Sequence, residues 1–239
     1  MEKNIAVIGS GYWGKNLVRN FSELKALKTV CDLNEEVLHD FKNKYPEIHI
    51  TTSFREVLND PEIKGVVIAT PAVLHYNMVK EALNNEKDVF VEKPLSLNVA
   101  DGKELVEIAK NNGNILMVGH ILQYHPAVLK LQEMVKKGEL GKIQYIYSNR
   151  LNLGKFRTEE NILWSFAPHD ISVILMLLNE MPRGLTSHAG TYLSKNVADV
   201  TLTTMDFPSG VKAHIFVSWL HPYKEQKLVV VGSKKNGRI

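Results

Sequence analysis

Ile5-Ala6-Val7-Ile8-Gly9-Ser10-Gly11-Tyr12-Trp13-Gly14 is the stretch that decides the fold. Four consecutive apolar residues read as a strand covered on both faces, because a strand with one wet face alternates apolar and polar side chains. The glycines then follow as Gly-x-Gly-x-x-Gly and lead into a helical pattern over Leu17 to Leu24. Glycines gather in turns for many reasons, so the spacing by itself is weak. Between a buried strand and a helix it acquires a mechanism: Gly9 permits the tight turn, Gly11 lets the backbone approach a pyrophosphate, and Gly14 lets the helix pack close to the strand. The helix N-terminus turns unpaired N–H groups and the positive end of its dipole toward that anion. Gly9, Ser10, Gly11, Tyr12, Trp13 and Gly14 are therefore candidate dinucleotide-binding residues.

Working outward, Asp32 ends the next apolar run, Leu27 to Cys31, eighteen residues after Gly14. A carboxylate about 20 residues beyond the loop accepts hydrogen bonds from ribose hydroxyls and repels a 2′-phosphate. Leu33 and Asn34 follow, with no arginine to neutralise such a phosphate, so NAD is favoured over NADP. The same rhythm continues with a helix over Glu35 to Tyr45, a strand over Gly65 to Ala69 and a helix over His75 to Asn84. A strand over Asp88 to Val91, a helix over Asn98 to Asn111 and a strand over Ile115 to Val118 complete it. Continuous apolar strands separated by helices give a parallel sheet with helices on both faces.

Beyond about residue 120 the pattern changes. Ile143, Tyr145, Tyr147 and Leu151, and later Val211, Ala213, Ile215, Val217 and Trp219, alternate with polar neighbours. Between them a helix is expected from about Pro168 to Asn179, with Ile171, Ile174, Leu175 and Leu178 as its apolar stripe. The expected fold is an α/β Rossmann domain, residues 1–122, followed by an α+β domain, residues 123–239, with an open-faced, mostly antiparallel sheet. The boundary falls between Gly119 and Gly141.

The bulk numbers exclude several classes. With 239 residues, 44% hydrophobic and 23% charged, the chain has ordinary globular composition. A net charge of +3 spread along it argues against a nucleic-acid partner. No apolar run reaches the roughly 18–20 residues of a membrane helix, and the N-terminus lacks a signal-like core. A single cysteine, Cys31, suits a reducing cytoplasm. No spacing of Cys, His and Asp suggests a metal site, and hydride chemistry on NAD requires none.

Glu92-Lys93-Pro94 follows the strand ending at Val91. A lysine at the C-terminal end of a parallel strand points to the crevice where such sheets bind ligands. Taken in order, the glycine loop, Ala69-Thr70-Pro71 with His75, Glu92-Lys93-Pro94, and Gly119-His120 leading to His125-Pro126 resemble the glucose–fructose oxidoreductase/inositol dehydrogenase (Gfo/Idh/MocA) family over essentially the whole chain. The resemblance implies a catalytic or substrate-orienting role for Lys93, and places Thr70, Pro71, His75 and Glu92 beside the cofactor. Asn149 to Arg157 and Leu163 to Asp170 look like the branch of nucleotide-sugar 3-dehydrogenases, implying oxidation at C3 of UDP-N-acetylglucosamine or its uronic acid.

Removing a hydroxyl proton as hydride leaves calls for a base that titrates near neutrality, which a histidine supplies. His169 is the candidate, expected at the start of the second-domain helix, where the dipole keeps it neutral. Family members often carry Asp four residues earlier, where this chain has Ser165, so a carboxylate relay is in doubt. Lys155 and Arg157 suit a diphosphate or carboxylate, Asn152 and Asn161 suit sugar hydroxyls or an acetamido group, and Trp164 either stacks on a sugar or anchors its loop. Relatives generally run longer, so the resemblance implies that the second domain is incomplete or a natural short form; an uncovered sheet edge pairs readily with another chain, so self-association through the open sheet is expected. Another sugar or polyol dehydrogenase, or a non-catalytic NAD-binding regulator, would share these features.

Overall fold

Ala6 and Ile8 point to one face of the first sheet and Val7 to the other, and none is more than 2% exposed. Ala6 and Ile8 pack with Val66, Ile68, Val89 and Val91 in one core, while Val7 packs with Val30 and Val67 in a second. Two separate cores are what an unbroken apolar strand predicts.

The computed structural model describes residues 4–154, 156 and 160–239. It comprises two compact units, Met1–Gly119 and His120–Ile239. In the first unit the strands are β1 (Ile5–Ile8), β2 (Leu27–Cys31), β3 (His49–Thr51), β4 (Gly65–Ile68), β5 (Asp88–Val91) and β6 (Leu116–Val118). Its helices are α1 (Gly14–Glu23), α2 (Glu35–Lys44), α3 (Phe54–Asn59), α4 (Ala72–Asn84) and α5 (Val99–Asn112). All pairings are parallel, in the order β3-β2-β1-β4-β5-β6. The order reverses between β1 and β4, which creates the crevice at which such sheets bind ligands.

The second unit holds a 3-10 turn (Ile121–Tyr124), α6 (Pro126–Lys136), β7 (Ile143–Leu153), α7 (Ile162–Leu178) and the strands β8 (Gly184–Gly190), β9 (Val200–Asp206), β10 (Lys212–Ser218), β11 (Leu220–Gly232) and β12 (Asn236–Arg238). Their order is β12-β11-β7-β10-β9-β8, antiparallel except where β10 runs parallel to β7. Ile146, Met205, Ala213, Ile215, Val217 and Val230 bury one face against α7, with Ile162, Val173, Ile174 and Leu177 from the helix. The opposite face presents Tyr145, stacked beside Tyr147, which in turn stacks on His214 at 5.4 Å.

One expectation is corrected here. α7 starts at Ile162 rather than near Pro168, because Asn161 accepts from the Trp164 N–H at 3.1 Å and caps it. Pro168 lies inside the helix. It removes the N–H that would bond the Trp164 carbonyl, and Trp164 sits on the exposed flank at 40%. His169 is consequently about two turns in, beyond the reach of the terminal dipole. The buried stripe is also displaced by one residue: Asp170, Val173, Ile174 and Leu177 are buried, whereas Ile171, Leu175 and Leu178 pack at its margin.

Candidate cofactor and active site

The glycine loop is built as its spacing requires. Gly9 has φ of 83°, and a Cβ there would meet the Ala69 carbonyl at 2.9 Å. A Cβ on Gly14 would lie 2.0 Å from the Gly9 oxygen, so any larger residue forces the helix off the strand. At Gly11 a Cβ meets nothing within 4 Å. That open volume, next to backbone, is where a diphosphate fits. α1 and α4, the helices that follow the two switch-point strands, have no side-chain cap, whereas α2, α3 and α5 are capped by Asn34, Ser53 and Asn98. In α1 the Lys15 and Asn16 N–H groups donate to Gly11 O at 3.2 Å and Trp13 O at 2.9 Å, and in α4 the Leu74 N–H donates to Pro71 O at 2.9 Å, so the first turns are closed by backbone and not by side chains.

Asp32 sits beside this loop. Its Oδ2 accepts from the Ser10 N–H at 2.7 Å and the Ser10 hydroxyl at 2.8 Å, and Oδ1 accepts from the Asn34 N–H at 3.0 Å. Burial pushes the carboxyl up, but the donors from Ser10 and Asn34 outweigh it and hold the group below the usual carboxylate range. Oδ1 has accepting capacity left for a ribose hydroxyl. The residues present therefore fit a dinucleotide. Next door, burial first and then the charges of Asp32 and Glu56 push the Cys31 thiol up to about 11. At neutral pH it stays protonated and inert, so iodoacetamide is expected to label Cys31 slowly in the native chain and rapidly after denaturation, followed by mass spectrometry.

Glu92 and Lys93 leave the end of β5. The backbone ladder extends one step past the strand, with the Glu92 N–H donating to Ile68 O at 2.9 Å and the Gly119 N–H to Val91 O at 2.8 Å. Glu92 Oε1 accepts from the Trp13 indole N–H at 2.8 Å, which ties this turn directly to the nucleotide loop. Burial raises the Glu92 carboxyl above its ordinary range, against the Trp13 hydrogen bond. Gly119 makes room for it, since a Cβ there would fall 2.9 Å from Glu92 Oε1. The Lys93-Pro94 peptide is cis.

His75, expected beside the cofactor, is 1% exposed. Its ring nitrogens face Pro94 O at 2.7 Å and Thr70 O at 2.8 Å, so it joins two turns instead of turning to a ligand. Thr70 directs its hydroxyl to the Met78 sulfur at 3.5 Å, and Pro71 immediately precedes α4.

In the second unit, His169 is half-buried on α7, and its carbonyl accepts from the Ser172 hydroxyl at 2.8 Å. Ser165 is buried and donates to Glu160 Oε1 at 2.8 Å. Asn161 Oδ1 is committed to capping α7, and Asn152 is half-buried on β7. Lys155 and Arg157 lie outside the described residues. Sequence reading missed a pair that the fold makes prominent: Arg150 on β7 meets Asp170 in a two-pronged bond, Nε to Oδ2 at 2.7 Å and Nη2 to Oδ1 at 3.1 Å, and Ser148 adds a third donor at 2.7 Å. The alternation of β7 pointed the other way: Tyr145 and Tyr147 read as its apolar face, whereas Ser148 and Arg150 share the face of buried Ile146, toward the helix. Among the described residues no group of His, Cys, Asp or Glu is placed to hold a metal, and no helix is long and apolar enough to cross a membrane.

Two family descriptions match the chain: an oxidoreductase family with NAD-binding Rossmann fold over residues 3–120, and the GFO/IDH/MocA C-terminal domain over residues 128–237. Among curated relatives, the 2,7-anhydro-N-acetylneuraminate hydratase of Escherichia coli is 26% identical, the alignment covering 99% of this chain and 67% of the relative. The scyllo-inositol 2-dehydrogenase (NAD(+)) of Bacillus subtilis is 30% identical over 70% of this chain and 52% of that protein. The chain thus spans between half and two thirds of these two relatives' lengths. The UDP-N-acetylglucosamine 3-dehydrogenase GnnA from Acidithiobacillus ferrooxidans superposes with a TM-score of 0.89 at 21% identity, covering 99% of this chain and 76% of that one, and shares its fold.

Proposed function

The chain belongs to the Gfo/Idh/MocA oxidoreductase family and carries its NAD-binding Rossmann domain, and from that premise we propose that it is an NAD-dependent dehydrogenase oxidising C3 of a UDP-N-acetylated sugar, UDP-N-acetylglucosamine or its uronic acid, to the 3-keto sugar. The observation that carries the reading is the hydrogen bond from Trp13 to Glu92, which sets the turn bearing Lys93 against the nucleotide loop. NAD, when bound, supplies the hydride acceptor. The glycine loop and the uncapped start of α1 hold the diphosphate, and Asp32 takes the ribose hydroxyls. Lys93 is proposed to orient the sugar hydroxyl that is oxidised, and His169 is proposed as a general base. Asn152, Asn161, Lys155, Arg157 and Trp164 are proposed to read the sugar and its diphosphate.

A polyol substrate is the second reading, favoured by the 30% identity to the inositol dehydrogenase. NADH formation with UDP-N-acetylglucosamine, its uronic acid and scyllo-inositol separates the two. A preference for the inositol overturns the nucleotide-sugar assignment and leaves the dehydrogenase in place. Self-association is proposed through the open sheet face, where Tyr145 and Leu202 are exposed beside the Tyr147–His214 stack. Light scattering at micromolar concentration is expected to show a homo-oligomer; a monomer refutes it.

A further inference from the structure

The His75 ring lies between two carbonyl oxygens, Pro94 O at Nδ1 and Thr70 O at Nε2. A carbonyl only accepts, so each contact is a hydrogen bond only when that ring nitrogen carries hydrogen. A neutral imidazole has one N–H. Its other nitrogen would face a carbonyl lone pair with its own lone pair, in a site that is 1% exposed. A ring with hydrogen on both nitrogens satisfies both contacts. The two carbonyls belong to the turns after β4 and β5, Thr70-Pro71 and Lys93-Pro94, set side by side by the parallel pairing of those strands. Neither proline has an N–H to tie one turn to the other. The β5 turn contributes Glu92 and Lys93, which interact electrostatically with each other, and Glu92 also with His75; α4 carries Lys80 and Glu81, and α5 carries Asp101, Lys103, Glu104, Glu107 and Lys110, of which Lys80 and Glu104 bind each other at 2.6 Å. Glu92 is the anion that offsets a charged ring.

We propose that His75 is a doubly donating clip, protonated at both ring nitrogens, that locks the Thr70-Pro71 turn to the Lys93-Pro94 turn and so fixes where the Lys93 amine is presented. It is a positioning residue for Lys93. The clip stands on geometry alone; its kinetic consequence rests on the role proposed above for Lys93.

Nitrogen-15 spectra of the full chain, with His75→Gln for assignment, test the clip directly. Two ring N–H signals from His75 at neutral pH are expected, and one protonated and one bare nitrogen overturns double donation. Acetylation of lysines, read by mass spectrometry, tests the positioning. Lys93 is expected to change its rate several-fold in His75→Leu, with Lys110 of α5 unchanged and His75→Gln intermediate. An unaltered Lys93 rate overturns the positioning role. In turnover, His75→Leu is expected to lose about 100-fold in kcat, the order of a displacement of about 1 Å, with NAD affinity little changed. Equal loss of NAD affinity and kcat overturns it in favour of a general structural role. Should the unaltered protein not oxidise the UDP-sugar, the functional reading fails while the spectra and the acetylation rates still decide the clip.

Discussion

Lys93→Ala is expected to lower kcat about 1,000-fold, within the range of about 10²–10⁴ for loss of a proton-transferring or hydroxyl-orienting group. The affinity for NAD should change little. Its neighbours make bonds that shape the turn, Glu92 with Trp13 and Pro94 O with His75, and these remain in the variant. Lys93→Arg keeps a positive charge but replaces a compact, rotatable donor with a planar fork, and should recover little. Steady-state kinetics with NADH readout, alongside NAD titration, provides the check. A variant that turns over normally removes Lys93 from the chemistry, and one that loses NAD binding and turnover in parallel makes it a cofactor ligand only.

Asp170→Ala should destabilise the second unit by about 3–5 kcal/mol, because it leaves the guanidinium of Arg150, whose side chain is only 14% exposed, without its partner. Asp170 is 3% exposed and holds both prongs of Arg150 as well as the Ser148 hydroxyl. Solvent therefore screens little of the loss. The bond also joins β7 to α7, the helix that carries His169. Replacing the pair together, Arg150→Met with Asp170→Leu, should recover most of the loss, since an apolar pair leaves no charge stranded. Urea denaturation of the two single variants and the double variant forms the necessary cycle. A loss below about 1 kcal/mol in Asp170→Ala would place this pair among ordinary surface salt bridges.

The Rossmann half is legible in the sequence because each of its central strands is apolar on both faces and the glycine loop has a mechanism that only one context satisfies. β3 and α3 escape notice because they have three and six residues, too few for a period to emerge. α7 misleads for a different reason. Pro168 looks like a first helical residue, and proline is favoured there, but Asn161 caps the helix earlier and tertiary packing of Ile162 and Ala167 holds the extra turns. Asp170 has no signal in that stripe: a carboxylate on the core face makes sense only with Arg150 opposite it. At the site, residue types and spacing announce Gly9, Gly11, Gly14 and Asp32, because a backbone cradle and a ribose acceptor are local features. The Trp13–Glu92 bond and the His75 clip join residues 79 and 19 positions apart, so no local pattern contains them.

UDP-N-acetylglucosamine carrying deuterium at C3, incubated with the protein and NAD, tests the central claim most directly. Oxidation at that carbon moves the label to the nicotinamide ring, and mass spectrometry of the cofactor pool, taken after denaturing the protein so that bound NADH is included, reads it. The account predicts deuterated NADH in step with 3-keto sugar. A cofactor that stays unlabelled while the sugar keeps its deuterium contradicts it.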